Sequence, residues 1–294
     1  MMIVSLGPGL PHDLLDATGR YAGPLGWNID RPTPQADQWL ESKFPLWTRS
    51  VLQDWADGAL DHLDAVVFSR ADDACQRLYY YACELQRGGA LRGPEPLIAD
   101  IANVVRPGSD LRTETVLRKL AARLGVDDAA LEAGIARINA RRGNSAPSAA
   151  AGKVCLITGS PPPDLRLHAM VQSVGWNPAG LTLAQVWADL GPVVDNGTGN
   201  PFAALSRQLQ SRQTGPRGFF DRAAAVADQA RLAGASAALL WLMEEDDTTV
   251  WHLPAMRDAL RAMGLPLLVA TRRDWRANDG IASELTDFLK GISA

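Results

Sequence analysis

Short runs of apolar, β-favouring residues alternate along the chain with longer stretches whose apolar positions recur at helical spacing. This alternation predicts an α/β protein in which parallel strands are joined by crossover helices. In the first half "LDAVVF" (63–68) and "PLIADIA" (96–102) read as buried strands. Between them Cys75, Leu78, Tyr79 and Ala82 fall at i, i+3, i+4 and i+7, which predicts a helix beginning near Asp72 or Asp73 with this stripe turned to the sheet. In the second half "KVCLIT" (153–158), "ASAALLWL" (235–242) and "LPLLVA" (265–270) read as strands. The stretches "PDLRLHAMVQSVG" and "VWHLPAMRDALRAMG" read as helices closed by Gly175 and Gly264. A last helix over "SELTDFLKGI" takes Ser283 or Asp279 as its N-cap. Between the halves, "GNSAPSAAAG" (143–152) is small, polar and aperiodic, and marks a linker between an N-terminal domain (1–146) and a C-terminal domain (152–294).

Composition narrows the function classes. The 294 residues carry a net charge of -4, with 47% hydrophobic and 21% charged residues, so there is no basic excess of the kind that nucleic acid or an anionic membrane surface asks for. Neither is an expected partner. No stretch reaches the roughly 18 apolar residues of a membrane-spanning helix, and the start of the chain lacks a basic region ahead of its short apolar run. The expected location is the cytoplasm, and three cysteines, an odd number with no disulfide framework, suit a reducing compartment. Nine tryptophans read as core and interface anchors.

The chemistry concentrates where strands give way to helices. Asp72 and Asp73 follow a strand and open a helix, the edge at which parallel α/β sheets bind ligands. The same positions suit an N-cap and a first-turn acid. "GKV" at Gly152 lacks the pattern of a phosphate-binding P-loop, "NGTGNP" (196–201) reads as a loop, and no HExxH, CxxC, EF-hand or GxSxG pattern occurs. His168 belongs on a helix face and His252 at a helix start.

Three segments, "AVVFSRADDACQRLYYYACELQR" (65–87), "ITGSPPPDLRLHAMVQSVGW" (157–176) and "LLWLMEEDDTTVWHLPAMRDALRAMGLPLLVATR" (239–272), resemble the 2-hydroxyacyl-CoA dehydratase family, which includes the benzoyl-CoA reductase subunits. The resemblance runs from about Leu52 to the end of the chain. It implies two Rossmann-like domains with parallel sheets flanked by helices, an acyl-CoA substrate and a homologous partner subunit in a heterodimer. It also implies a [4Fe-4S] cluster in the cleft, which passes an electron to the CoA thioester after an ATP-dependent activator has supplied it.

The sequence departs from that pattern where the cluster is bound. The family's cluster-binding cysteine is typically followed by Asp, and the corresponding pairs here are Asp72-Asp73 and Asp246-Asp247, with an offset onto Glu244 or Glu245 as the alternative placement of the second. No cysteine lies in the stretch 187–199. Cys75 and Cys83 stand about 12 Å apart along one helix, and Cys155 within a strand suits a small buried hydrophobe. A cluster requires thiolates, so no cofactor is assigned and no metal site, although the four aspartates offer oxygen ligands of the kind magnesium or manganese prefers.

Asp72, Asp73, Asp246 and Asp247 are the catalytic candidates. Ser69, Arg70 and Ser160 are the substrate-binding candidates. Arg70 pairs either with a CoA phosphate or with Asp73, and Ser160, with the amides of a helix beginning near Asp164, meets a thioester oxygen or a phosphate or else belongs to a proline-stiffened turn. The expected function is a subunit of a dehydratase- or reductase-like acyl-CoA enzyme that lacks its own cluster and serves acyl-CoA binding or partner assembly. A cluster-bearing catalytic subunit with unusual ligation and a non-enzymatic scaffold or regulatory protein are the alternatives.

Overall fold

The computed structural model describes residues 2–101, 104–142, 152–212 and 214–293. The first domain runs β1 (Met2–Leu6), α1 (His12–Ala17), β2 (Tyr21–Pro24), α2 (Pro34–Trp39), α3 (Leu46–Ala56), β3 (Leu63–Ser69), α4 (Asp73–Arg87), β4 (Glu95–Ala99), α5 (Ser109–Leu124) and α6 (Asp128–Arg142). The second runs β5 (Val154–Gly159), α7 (Arg166–Ser173), β6 (Asn177–Ala179), α8 (Leu183–Ala188), α9 (Pro201–Ser211), α10 (Arg222–Ala233) and β7 (Ala237–Met243). A one-turn 3-10 helix at Thr249–His252 then leads into α11 (Leu253–Ala262), β8 (Leu267–Arg273) and α12 (Ile281–Ser293).

Each domain holds one four-stranded sheet, ordered β2-β1-β3-β4 in the first and β6-β5-β7-β8 in the second. Every pairing is parallel. The two sheets share one topology, so β3 and β7 are equivalent, as are β1 and β5. The equivalence explains their composition: helices cover both faces of β7, and all seven of its residues, Ala237–Met243, are buried. The chain leaves the first strand of each sheet in one direction and returns on its other side, which places a topological switch point beyond the carboxyl ends of β1 and β3, and of β5 and β7.

Several elements differ from the expected ones. β1 and β2 lie in a region without an expected strand; β1 is buried after Met2, and β2 is half-exposed and only four residues long. Helix α7 begins at Arg166 rather than near Asp164, since Asp164 turns back to accept from the backbone N–H and the guanidinium of Arg166. The segment expected to be one helix from Val250 is split into the 3-10 turn and α11, with Pro254 in the first turn of α11. β4 ends at Ala99, and Ala102 and the linker at 143–151 lie outside the described residues. The last helix begins at Ile281, with the Asp279 carboxylate accepting from the Ile281 N–H at 3.4 Å.

The domains share a core. Val4, Leu6 and Phe68 of the first belong to the same apolar cluster as Ile157, Leu239 and Trp241 of the second. Trp187 packs edge-on against Trp27 and Trp47, with ring centroids 4.7 and 4.9 Å away. The chain following α8 crosses back over the first domain, where Val194, Phe202, Leu205 and Leu209 are buried against Ile3, Leu14, Leu117 and Ile135. A buried ion pair ties down this crossing: Arg142 of α6 donates to both Asp13 oxygens at 2.7 Å and to the Leu190 carbonyl at 2.8 Å. Among the described residues no helix is long and apolar enough to cross a membrane.

Candidate functional site

Two glycines shape the floor of the interdomain cleft. Gly7 just beyond β1 and Gly159 at the end of β5 both have φ 103°, a backbone conformation that favours glycine. A Cβ on Gly159 would stand 2.4 Å from the Trp241 carbonyl oxygen, and one on Gly7 would stand 2.7 Å from Cys75 Sγ. Both central strands therefore turn sharply and end close to their neighbours. The loops after β3 and β7 then present their acidic residues to a common space, and the segment 214–222 inserts between them.

Three adjoining cavities fill that space. The outer one, of about 1020 Å³, is lined by Arg70, Arg106, Arg112, Arg217 and His252, together with Asp73, Asp100 and Asp221. A first inner chamber, about 320 Å³, has apolar walls that include Leu183, Val186, Val226 and Met256. A second inner chamber, about 230 Å³, is lined by all four aspartates of the two pairs, with Lys43, Arg77 and Glu245. Asp72 and Asp246 line both inner chambers, and Pro216 lines all three cavities.

Asp72 and Asp246 occupy equivalent positions but different environments. Asp72 caps α4, its Oδ1 accepting from the Cys75 N–H at 2.9 Å. Its half-buried carboxyl is pushed up to about 6, chiefly by burial, which the Cys75 N–H opposes and the negative charges of Asp246 and Asp73 reinforce. Asp246 is better supplied with donors. Ser160 Oγ–H donates to its Oδ2 at 2.6 Å, and the Thr249 N–H donates to its Oδ1 at 2.8 Å, closing the 3-10 turn. Ser160 is itself oriented by the Met243 N–H, which donates to its Oγ at 3.2 Å.

The remaining candidates separate. Asp73 and Asp247 are exposed, and Asp73 pairs with Arg217 at 3.3 Å. Arg70 lines the outer cavity, but its guanidinium pairs with Asp100 and not with Asp73, because the side chain runs outward along the edge of the sheet towards β4. Ser69 turns inward: it is buried, donates to the Pro8 carbonyl and accepts from the Ala71 N–H, and it lines none of these cavities. Ser160 lines the second inner chamber through its bond to Asp246 and stands apart from the start of α7 at Arg166. Glu245 accepts from the Trp275 indole at 2.8 Å, and its carboxyl is pushed up by burial. His168 is a core residue bonded to the Gly180 carbonyl, whereas His252 lines the outer cavity.

Sequence reasoning missed the segment 214–222, "TGPRGFFDR", which supplies Thr214, Arg217 and Arg222 to the cleft. Arg222 stacks on Phe220 at 4.5 Å and donates to the Pro216 carbonyl at 2.7 Å. The available signal was an aperiodic cluster of Gly and Pro interleaved with Arg and Phe, which marks a shaped loop.

A cluster of the kind the resemblance implies does not fit these residues. No cysteine lines any of the three cavities. Cys75 and Cys155 are buried, and burial raises both thiols, so neither offers a ready thiolate. Cys83 is half-buried, and its thiol is likewise raised by burial. Among the described residues no group of three or more His, Cys, Asp or Glu side chains is placed to hold a metal ion. Neither a model of a known protein family nor a curated protein matches the chain.

Proposed function

We propose that the cleft binds an acyl-CoA thioester, and that the chain is a subunit of a dehydratase- or reductase-like acyl-CoA enzyme that carries no cluster of its own. One observation carries this reading: a wide cavity lined by a histidine and four arginines, of which Arg70 and Arg112 share Asp100 and Arg217 pairs with Asp73, adjoins small chambers at the carboxyl ends of two parallel sheets. The outer cavity suits the phosphates of a nucleotide, which arginines grip through charge-assisted, bidentate hydrogen bonds. The inner chambers suit the short acyl end, with apolar walls and a few polar groups. The exposure of Phe219, which lines the outer cavity and is 68% exposed, and of Trp251, 83% exposed and next in the chain to the lining residue His252, supports a homologous partner subunit docking on this side.

Calorimetric titration with acetyl-CoA, CoA and inorganic phosphate tests the reading. Binding of both CoA compounds that is weakened at least about tenfold in Arg106→Ala supports it, on the order of 1.4 kcal/mol for one lost phosphate contact. Absence of any CoA affinity refutes it and favours the non-enzymatic alternative.

A further inference from the structure

We propose that Asp72 is a proton-transferring residue that acts, with Asp246 as its charged neighbour, on the carbon next to the carbonyl of a bound short-chain thioester. The inference rests on the acyl-CoA reading of the cleft and adds a reaction to it.

The two carboxyls come from equivalent strand ends of the two domains and stand at the boundary of both inner chambers. Their surroundings separate their roles. Asp246 takes a hydroxyl and a backbone donor, whereas Asp72 takes the backbone N–H and the thiol of Cys75 among walls of Pro8, Pro161, Leu183 and Pro216. Asp73 and Cys75 on its own helix and Asp246 across the cleft act on Asp72 most directly, while Lys43, Arg77, Glu245 and Asp247 line one of its two chambers and Asp189, Arg212 and Arg222 the other; burial together with Asp246 and Asp73 raises its proton affinity towards neutrality. A base of that strength is suited to proton abstraction near pH 7.

A second feature of the first inner chamber points to a ligand with an acceptor oxygen. Trp187, 1% exposed, lines this chamber and its indole N–H meets no acceptor. Thr214 Oγ1 and Arg222 Nε, of residues that line the same chamber, are likewise buried without a partner. Buried donors are seldom left unpaired in folded proteins, and three of them belong to residues that line this chamber. Arg222 also carries the charge that an oxyanion requires.

The step balances within the site. The Asp72 carboxylate takes the proton: a C–H bond breaks, an O–H bond forms on Asp72, and the electron pair moves into an enolate whose oxygen faces Arg222 and Thr214. Return of a proton from Asp72 to the same carbon restores the thioester. In heavy water the carboxyl exchanges its proton in between, so the thioester gains deuterium.

The test is deuterium exchange into the α-position of acetyl-CoA and butyryl-CoA, followed by proton NMR, with binding of each measured by calorimetry on the same protein. Exchange is expected with the wild-type protein, rising through a midpoint at about pH 6. It should fall at least about 100-fold in Asp72→Asn, which keeps the helix cap, with binding retained. In Asp246→Asn the midpoint should move to lower pH, a readout that a purely structural role does not shift. Binding without exchange, or exchange unchanged in Asp72→Asn, overturns the proton transfer while leaving the binding reading intact. No binding of either thioester overturns both.

Discussion

Replacing Asp72 by Asn removes a charge while leaving the helix cap in place, because Asn and Asp cap equally well. The carboxyl rises from 3.8 to about 6 on folding, chiefly through burial and then through the repulsion of Asp246 and Asp73. A carboxyl that binds its proton more tightly in the folded protein than in the unfolded chain costs stability whenever it is ionised. That cost is absent below about pH 4, grows between about pH 4 and 6, and is complete above about pH 6. A shift of about two pH units corresponds to a ceiling of ~3 kcal/mol, and water in the open chamber reduces it to about 1–2 kcal/mol. Asp72→Asn should therefore melt about 2–4 °C higher than wild type at pH 7.5, with the gap closing as the pH falls towards 4.5. Comparing variant with wild type at each pH cancels other titrations, such as that of buried His12, held down at about 4 by burial. Asp72→Ala loses the cap as well, ~0.5–2 kcal/mol, so the two effects should nearly cancel. The assay is a thermal shift series from pH 4.5 to 8, with and without acetyl-CoA. A pH-independent loss of stability in Asp72→Asn would refute the reasoning and leave capping as the whole role of this residue.

Other outcomes follow from the same geometry. Asp13→Ala should cost about 3–5 kcal/mol in chemical denaturation, because it leaves Arg142, whose side chain is 4% exposed, without its carboxylate; a loss below about 1 kcal/mol would show that the pair does not anchor the crossing chain. Gly159→Ala should destabilise by more than about 1–3 kcal/mol, since the added Cβ meets the Trp241 carbonyl and the backbone is left-handed; a neutral result in the same assay contradicts this. Thiol titration of the native protein should detect Cys83 slowly and Cys75 and Cys155 after unfolding, and rapid labelling of Cys75 would contradict its burial. Ser160→Ala should lower the affinity for acetyl-CoA or its exchange rate by disordering Asp246, and unchanged values for both would separate Ser160 from the site.

The alternation of apolar runs and helical stripes determined the fold class, because strands buried on both faces and amphipathic crossover helices leave local patterns in the chain. The α4 stripe of Cys75, Leu78 and Ala82 is buried as its spacing requires, and β3 and β7 lie where the apolar runs place them. Asp72 and Asp246 were legible as residues at strand ends, since that position depends on local order. The start of α7, the division of the α11 segment and the strands β1 and β2 were not, because side-chain bonds to the backbone and pairing with distant strands decide them. Tertiary structure alone brought Asp72 and Asp246 to one boundary, drew Arg70 to Asp100, committed Ser160 to Asp246 and turned Ser69 inward. It also placed Thr214, Arg217 and Arg222 in the cleft, from a loop without periodicity. The raised proton affinity of Asp72 depends on its burial and on the acid that the other domain brings across the cleft. Hydrophobic periodicity records which face of an element is buried, but not what lies opposite it.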